Sequence, residues 1–429
     1  MVSVLLGLGL LVAVFVGYNI GGSSTGVAFG PAVGSRITGK AVAAGLFTAF
    51  ALWGGWTVGR HVIETMSEGI VPQSQFTLTA SFIVLFFAGF SLLISNFFGV
   101  PSSTSMTAVG AIVGLGLATN TLNEQIMFGI VSAWIVAPLT AFWLGVLIGR
   151  YLYPHLDARI SFTRFEGGLV HLDYSGTLPF PKLNENATVR DVLGALIVIA
   201  ISCYNAFSAG ASNAANAIAP LVGNGAITAS QGILLAIAAI GLGGFTIARR
   251  TLDTIGEGLT DLPILAAMIV SLVGATIITI LSNLGVPASL AVSMTSCIIG
   301  LGWGRASRTV TVAEATEMAI EREELPDLSA GALIADDTVS ETNAVTPDPG
   351  PTVGELAAGE YTEDDAAMDS DEAVEVPHIG EEDPETIAEA PLLFDRAATS
   401  RVVFLWVLTP TISTVGSYLV FILIKIVSS

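Results

Sequence analysis

What most constrains this chain is a succession of apolar runs. Ten of them lie near residues 2–34, 41–59, 78–98, 102–119, 127–149, 191–224, 229–248, 264–284, 287–303 and 401–427. A helix that crosses a bilayer needs about 20 apolar residues, so the longer runs predict full crossings and the shorter ones half-helices or hairpins. With 52% hydrophobic and only 12% charged residues, and a mean hydropathy of +0.74, the chain falls among polytopic membrane proteins. The expected fold class is an all-α integral membrane protein of about 10–12 membrane segments, multi-pass in the cell membrane. The opening MVSVLLGLGLLVAVFVG lacks a basic flank and runs straight into more membrane pattern, so it reads as a retained first helix.

The runs form two matching halves. Ala28-Phe29-Gly30-Pro31-Ala32-Val33-Gly34 returns 189 residues later as Ala217-Ile218-Ala219-Pro220-Leu221-Val222-Gly223, and Gly99-Val100-Pro101 returns after 186 as Gly285-Val286-Pro287. The final runs, Trp134 with Pro138 and Trp406 with Pro410, are 272 apart, so 86 residues are inserted before the last helix. The expected organisation is repeat 1 over 1–150, a cytoplasmic linker over 151–188, and the first part of repeat 2 over 189–304. An acidic insertion over 305–398 and a final transmembrane helix over 399–429 complete it. Five crossings per repeat, counting each interrupted run once, would invert the second half. With external termini, twelve Arg and Lys fall inside and only Arg60 and Lys425 outside, the asymmetry that cytoplasmic loops carry. The insertion is then cytoplasmic.

Charge is distributed unevenly. Between Thr309 and Ala398 stand 25 acidic residues against two arginines, so the net charge of -20 leaves the membrane part at +3. That suits an anionic substrate and gives no footing for nucleic acid. The Pro-, Gly- and acid-rich insertion predicts disorder, with a small regulatory domain as the alternative. Cys203 and Cys297 read as small hydrophobes, and the four histidines show no metal spacing.

Two polar constellations interrupt the apolar pattern. FSAGASNAANAIAPLVGNGAIT, Phe207 to Thr228, places Ser208, Ser212, Asn213 and Asn216 beside the potential interrupters Gly210 and Pro220. A break inside lipid strands backbone groups at several kcal/mol each, roughly, unless protein, water or a ligand completes them. Matching breaks in inverted halves point to a secondary transporter's midplane site, where helix N-termini present N–H donors to an anion. The alternative is a helix-packing surface of small residues. The second constellation is Pro101-Ser102-Ser103-Thr104-Ser105, hydroxyls opening an apolar helix. It reads as a donor nest for an oxyanion, with ordinary N-capping as the alternative. Its repeat partner keeps only Ser289. Gly34-Ser35-Arg36-Ile37-Thr38-Gly39-Lys40 has P-loop spacing, but Ala41 replaces the magnesium-binding hydroxyl and a membrane segment precedes it, so it reads as topology anchors.

Together these residues resemble the inorganic phosphate transporter (PiT) family, with its duplicated G-A-N-D-V-A-N-A-[FI]-G-P/T and P-V-S-T-T-H motifs. The second copy, GASNAANAIAP, carries most of the likeness. The resemblance implies cation-coupled import of inorganic phosphate by alternating access, and a homodimer. The chain departs from the family at the Asn-Asp pair, which is Ser23-Ser24 in the first copy and Ser212-Asn213 in the second, and the later Asn is Val27 and Asn216. Both motif aspartates are absent.

No Asp or Glu lies in the cores of the apolar runs, which leaves a carboxylate proton relay without a candidate and favours Na+ over H+ as coupling ion. The substrate set is Ser102, Ser103, Thr104, Ser105, Ser212, Asn213 and Ser289, and the cation set is Ser23, Ser24, Thr25, Asn213 and Asn216. No cofactor, structural metal or enzymatic activity is expected, because the membrane runs hold no Asp pair, H-E-x-x-H or Ser–His partner. The alternatives are a sulfate or other oxyanion permease and a transport-dead phosphate sensor.

Overall fold

The computed structural model describes residues 2–97, 103–158, 170–173, 180–183, 188–248, 263–309, 378–379 and 396–428. Each of the ten apolar runs holds a helix. In chain order they are α1 (Val2–Gly34), α2 (Lys40–Thr57) with a short α3 (Gly59–Glu64), α4 (Leu78–Phe97), α5 (Thr104–Thr119), and α6 (Glu124–Leu147) followed by α7 (Tyr153–Asp157). Then come α8 (Val189–Gly223), α9 (Ala229–Thr246), α10 (Ile264–Asn283), α11 (Leu290–Ala306) and α12 (Arg396–Ser428). Seven of these are long and apolar enough to cross a membrane, and α2 with the helix after it, bent by 64°, makes an eighth. Large apolar side chains on α6 and α12, among them Phe128, Trp143, Val407 and Leu419, are exposed. On a water-soluble surface such patches would drive aggregation, whereas in a bilayer they are the lipid face.

The linker holds an unexpected element. Val170–Asp173 (β1) and Phe180–Leu183 (β2) pair antiparallel, Val170 opposite Leu183. Most of the acidic insertion lies outside the described residues, as do Pro101 and Ser102.

The expected interruptions in the first and sixth runs are corrected. α1 is one helix of 33 residues and α8 one of 35, continuous through Gly210 with Pro31 and Pro220 inside them. At about 1.5 Å per residue each is about 50 Å long. Gly210 serves close approach and does not break the helix: a Cβ there would collide with the Ala51 carbonyl of α2, and one at Gly54 would collide with the Phe207 carbonyl of α8. The small residues that resembled a break are in part the packing surface of two crossing helices. Each proline sits three residues from its helix end, so its missing N–H leaves one carbonyl, Val27 or Asn216, without its i+4 donor.

The discontinuities lie elsewhere. α4 and α5 pack against each other as a hairpin: the N–H of Asn123, just past α5, donates to the Ile70 carbonyl just before α4 (2.9 Å). Both ends are therefore on one side, and the start of α5 meets the middle of α8, where Thr104 bonds Asn213. α10 and α11 repeat the plan, with Gly274 against Leu290 and Met294 and the tip carbonyl of Ala288 on Ser212. Each tip is fixed by helices from the other half of the chain. The Trp134 indole N–H of α6 donates to the Pro287 carbonyl (2.8 Å). On the other side Ser413 and Ser417 of α12 donate to the carbonyls of Thr107 and Ala111 (2.8 Å each). Likewise α1 packs on α9 and α2 on α8, so neither half buries its apolar faces alone.

Candidate functional site

The two hairpin tips meet against α1 and α8. On α5, Ser103 is the N-cap in extended backbone, its Oγ accepting from the Met106 N–H (3.3 Å); the capping reading thus holds for Ser103, which is fully buried. That geometry sets the next two hydroxyls against α8. Thr104 Oγ1 donates to Asn213 Oδ1 (2.7 Å), and Ser105 Oγ lies 3.2 Å from Ser212 Oγ. Ser105 and Ser212 both donate to the Ala288 carbonyl, at 3.0 and 2.7 Å, so one tip oxygen joins both hairpins and α8.

Asn216, one turn along α8 from Ser212, holds the cluster together from behind. Its Nδ2 donates to Asn213 Oδ1 (3.1 Å), Ser105 Oγ (3.2 Å) and Thr104 Oγ1 (3.4 Å). Asn213 Nδ2 in turn donates to Ser24 Oγ on α1 (3.2 Å). On α11 Ser289 is the N-cap, accepting from the Val292 N–H (3.4 Å).

In front of this network lies a pocket of about 380 Å³, measured out to its mouth and lined by Ser23, Ser24, Val27, Thr104, Asn213, Ser289, Leu290 and Ala291. Among the described residues no charged side chain lines it. Leu290 and Ala291 lie in the first turn of α11, where N–H groups have no intrahelical acceptor and the helix dipole is positive. On α8 two buried amides are incompletely paired: Asn216 Oδ1 has no partner, and Asn205, seven residues before Ser212, has neither amide atom bonded. Such groups cost about 1–3 kcal/mol each, and folded proteins keep them where an ion, water or ligand completes the bonding.

Of the residues expected from sequence, the fold brings Ser24, Thr104, Ser105, Ser212, Asn213 and Asn216 into one hydrogen-bonded cluster, and Ser23 and Ser289 onto the same pocket. Thr25 does not join them: its hydroxyl donates to the Gly21 carbonyl (2.8 Å) and it packs where α9 passes at Gly244. Ser103 caps its helix from behind. Three participants escaped the sequence reading. The Leu290 and Ala291 amides and the Ala288 carbonyl are backbone groups of apolar residues, and only the position of Ser289 as a helix N-cap could have pointed to them. Among the described residues no cluster of His, Cys, Asp or Glu could hold a metal ion.

The arrangement can strip water from a small anion and return hydroxyl and amide donors. Comparison with known proteins agrees with this chemistry. A sequence model described as the phosphate transporter family matches residues 20–321. The chain is 31% identical over 297 residues to the sulfate permease CysP of Bacillus subtilis (strain 168), covering 69% of this chain and 77% of that one. Its fold matches a solved structure titled "The sodium-dependent phosphate transporter" at a TM-score of 0.56, with 22% identity, over 80% of this chain and all of the other.

Proposed function

The chain belongs to the phosphate transporter family, and from that premise we propose that it imports a small tetrahedral oxyanion of the phosphate and sulfate class, coupled to sodium, by alternating access. The observation that carries the reading is the meeting of two hairpin tips on α1 and α8. There hydroxyls, an amide and the first-turn N–H groups of α11 surround one pocket. Broken membrane elements of this kind, one from each half, are where secondary transporters hold their cargo. Phosphate is the cargo named by the family. Sulfate is the second reading, favoured by the relative at 31% identity.

Sodium coupling rests on charge. Moving an anion of one or two charges out of water costs far more than neutral hydrogen bonds return unless a cation accompanies it. Hard cations such as sodium take oxygen ligands, and the site offers them. Asn216 Oδ1 is unpaired, and the backbone carbonyls of Val27 and Asn216 lose their i+4 donors to Pro31 and Pro220. These two carbonyls occupy equivalent places, 189 residues apart. A proton has no carboxylate to ride on there. The two-repeat division, inverted, with external termini and a cytoplasmic acidic insertion, belongs to the same proposal, as does a homodimer. Rocking of one repeat against the other would then expose the pocket to each side in turn.

The test is uptake of radiolabelled sulfate and phosphate into proteoliposomes with and without an inward sodium gradient. We expect accumulation of at least one of them to rise about tenfold or more with the gradient, which corresponds to roughly 1.4 kcal/mol of driving force. Accumulation indifferent to sodium but driven by a pH gradient would reject the coupling.

A further inference from the structure

We infer that the pocket selects its oxyanion by protonation state, taking the fully deprotonated dianion (sulfate, selenate) and disfavouring anions that keep a proton (hydrogen phosphate, hydrogen arsenate). This deepens the oxyanion-transport reading above and rests on it.

The wall is rich in donors. Ser24 Oγ already accepts from Asn213 Nδ2, and Ser289 Oγ from the Val292 N–H, which leaves each hydroxyl proton available to a ligand. The first-turn amides of Leu290 and Ala291 add two more donors. The acceptors are all neutral. Asn213 Oδ1 takes one bond from Thr104 and another from Asn216, which fills both its lone-pair directions. Thr104 Oγ1 spends its proton on Asn213 and accepts from Asn216. Ser23 Oγ, whose proton goes to the Ile20 carbonyl (3.1 Å), can only accept; Ser24, Ser289 and Thr104 each keep one further lone pair, and the open Val27 carbonyl is the oxygen assigned above to sodium. A neutral hydroxyl is a far weaker partner for an acidic proton than a carboxylate, and among the described residues no carboxylate lines the pocket.

Sulfate meets this wall with acceptor oxygens alone, so every contact is donor to acceptor. Inorganic phosphate has three ionisable protons and loses the third only far above neutral pH, so it brings at least one P–O–H at pH 7. Its proton meets only neutral hydroxyl acceptors, which bind it less strongly than a carboxylate would. The two residues that take the places of the family's motif aspartates, Ser24 and Asn213, are bonded to each other at this wall. Neither residue offers a carboxylate to that proton.

The experiment uses the full chain in proteoliposomes, with radiolabelled sulfate and unlabelled sulfate, selenate, phosphate and arsenate as competitors at neutral pH. Selenate and arsenate are both larger than sulfate, so pairing them separates protonation from size. We expect sulfate and selenate to compete at least about tenfold better than phosphate and arsenate, within the discrimination that a mismatched buried polar contact gives. Asn213→Asp and, independently on the other helix, Ser24→Asp should each move the preference at least about tenfold toward phosphate and arsenate, because a carboxylate accepts the P–O–H and repels the dianion. Equal competition, or a wild-type preference for phosphate and arsenate, overturns this inference and leaves oxyanion transport standing. Sorting by size, with selenate and arsenate both excluded, overturns it as well. Absence of uptake of radiolabelled sulfate and, in a parallel assay, of radiolabelled phosphate overturns the transport reading itself.

Discussion

Replacing Asn213 with leucine is expected to lower oxyanion uptake at least about a hundredfold while the protein still elutes as a folded species in detergent. Asn213 is where three elements converge: it accepts from Thr104 on the first hairpin and from Asn216 on its own helix, and donates to Ser24 on α1. Three hydrogen bonds at about 1 kcal/mol each amount to about two powers of ten in an equilibrium constant at 1.4 kcal/mol per decade. Leucine keeps the same branched heavy-atom skeleton, so the surrounding helices keep their arrangement and the loss falls on the site. Thr104→Val, which removes one of the three bonds and keeps the shape, should cost about fivefold. Initial uptake rates in proteoliposomes, normalised to the amount of incorporated protein, measure both. Undiminished uptake in Asn213→Leu would mean that the cargo passes elsewhere.

The second large effect is structural. Gly210→Val should prevent recovery of folded protein, because its side chain would meet the Ala51 backbone of α2, which has no rotamer by which to move aside. Overpacking of a tight core costs about 1–3 kcal/mol and occasionally more, and here the obstacle is main chain. Gly129→Ala, with nothing within 4 Å of the added carbon, should leave the elution profile and melting temperature unchanged. Size-exclusion chromatography and a thermal ramp on the two variants separate close-approach glycines from incidental ones. A normally folded Gly210→Val would show that α2 and α8 are further apart than described.

Much of the site could be read from the chain because its chemistry is duplicated. Ser24, Thr104, Ser105, Ser212, Asn213 and Asn216 stand out as polar residues in apolar surroundings, and burial in lipid leaves such residues only each other or a ligand as partners. The position of the breaks was less legible. Gly210 and Pro220 resemble helix interrupters, but a proline in the final turn removes only one bond, and a glycine can be demanded by a neighbouring helix as readily as by a turn. The true breaks adjoin α4 and α10, which at 20 residues each have the length of a full crossing. Length and composition are the same for a crossing and for a hairpin limb, and only the partner of each helix distinguishes them. Backbone donors such as the Leu290 amide leave no trace in residue type at all. The strand pair in the linker was hidden for a different reason, since four-residue strands fall below the length at which alternation can be recognised.

The account stands on one location: the pocket where Ser24, Thr104, Asn213 and Ser289 converge is the place where the transported anion is held. Crystals of the full chain grown with selenate, measured at the selenium edge, test this most directly. A single anomalous peak in that pocket, within hydrogen-bonding distance of Ser24 Oγ, Ser289 Oγ and the Leu290 and Ala291 amides, is the predicted result. A peak confined to another part of the molecule, or a pocket that stays empty at selenate concentrations that saturate competition for uptake, would contradict it.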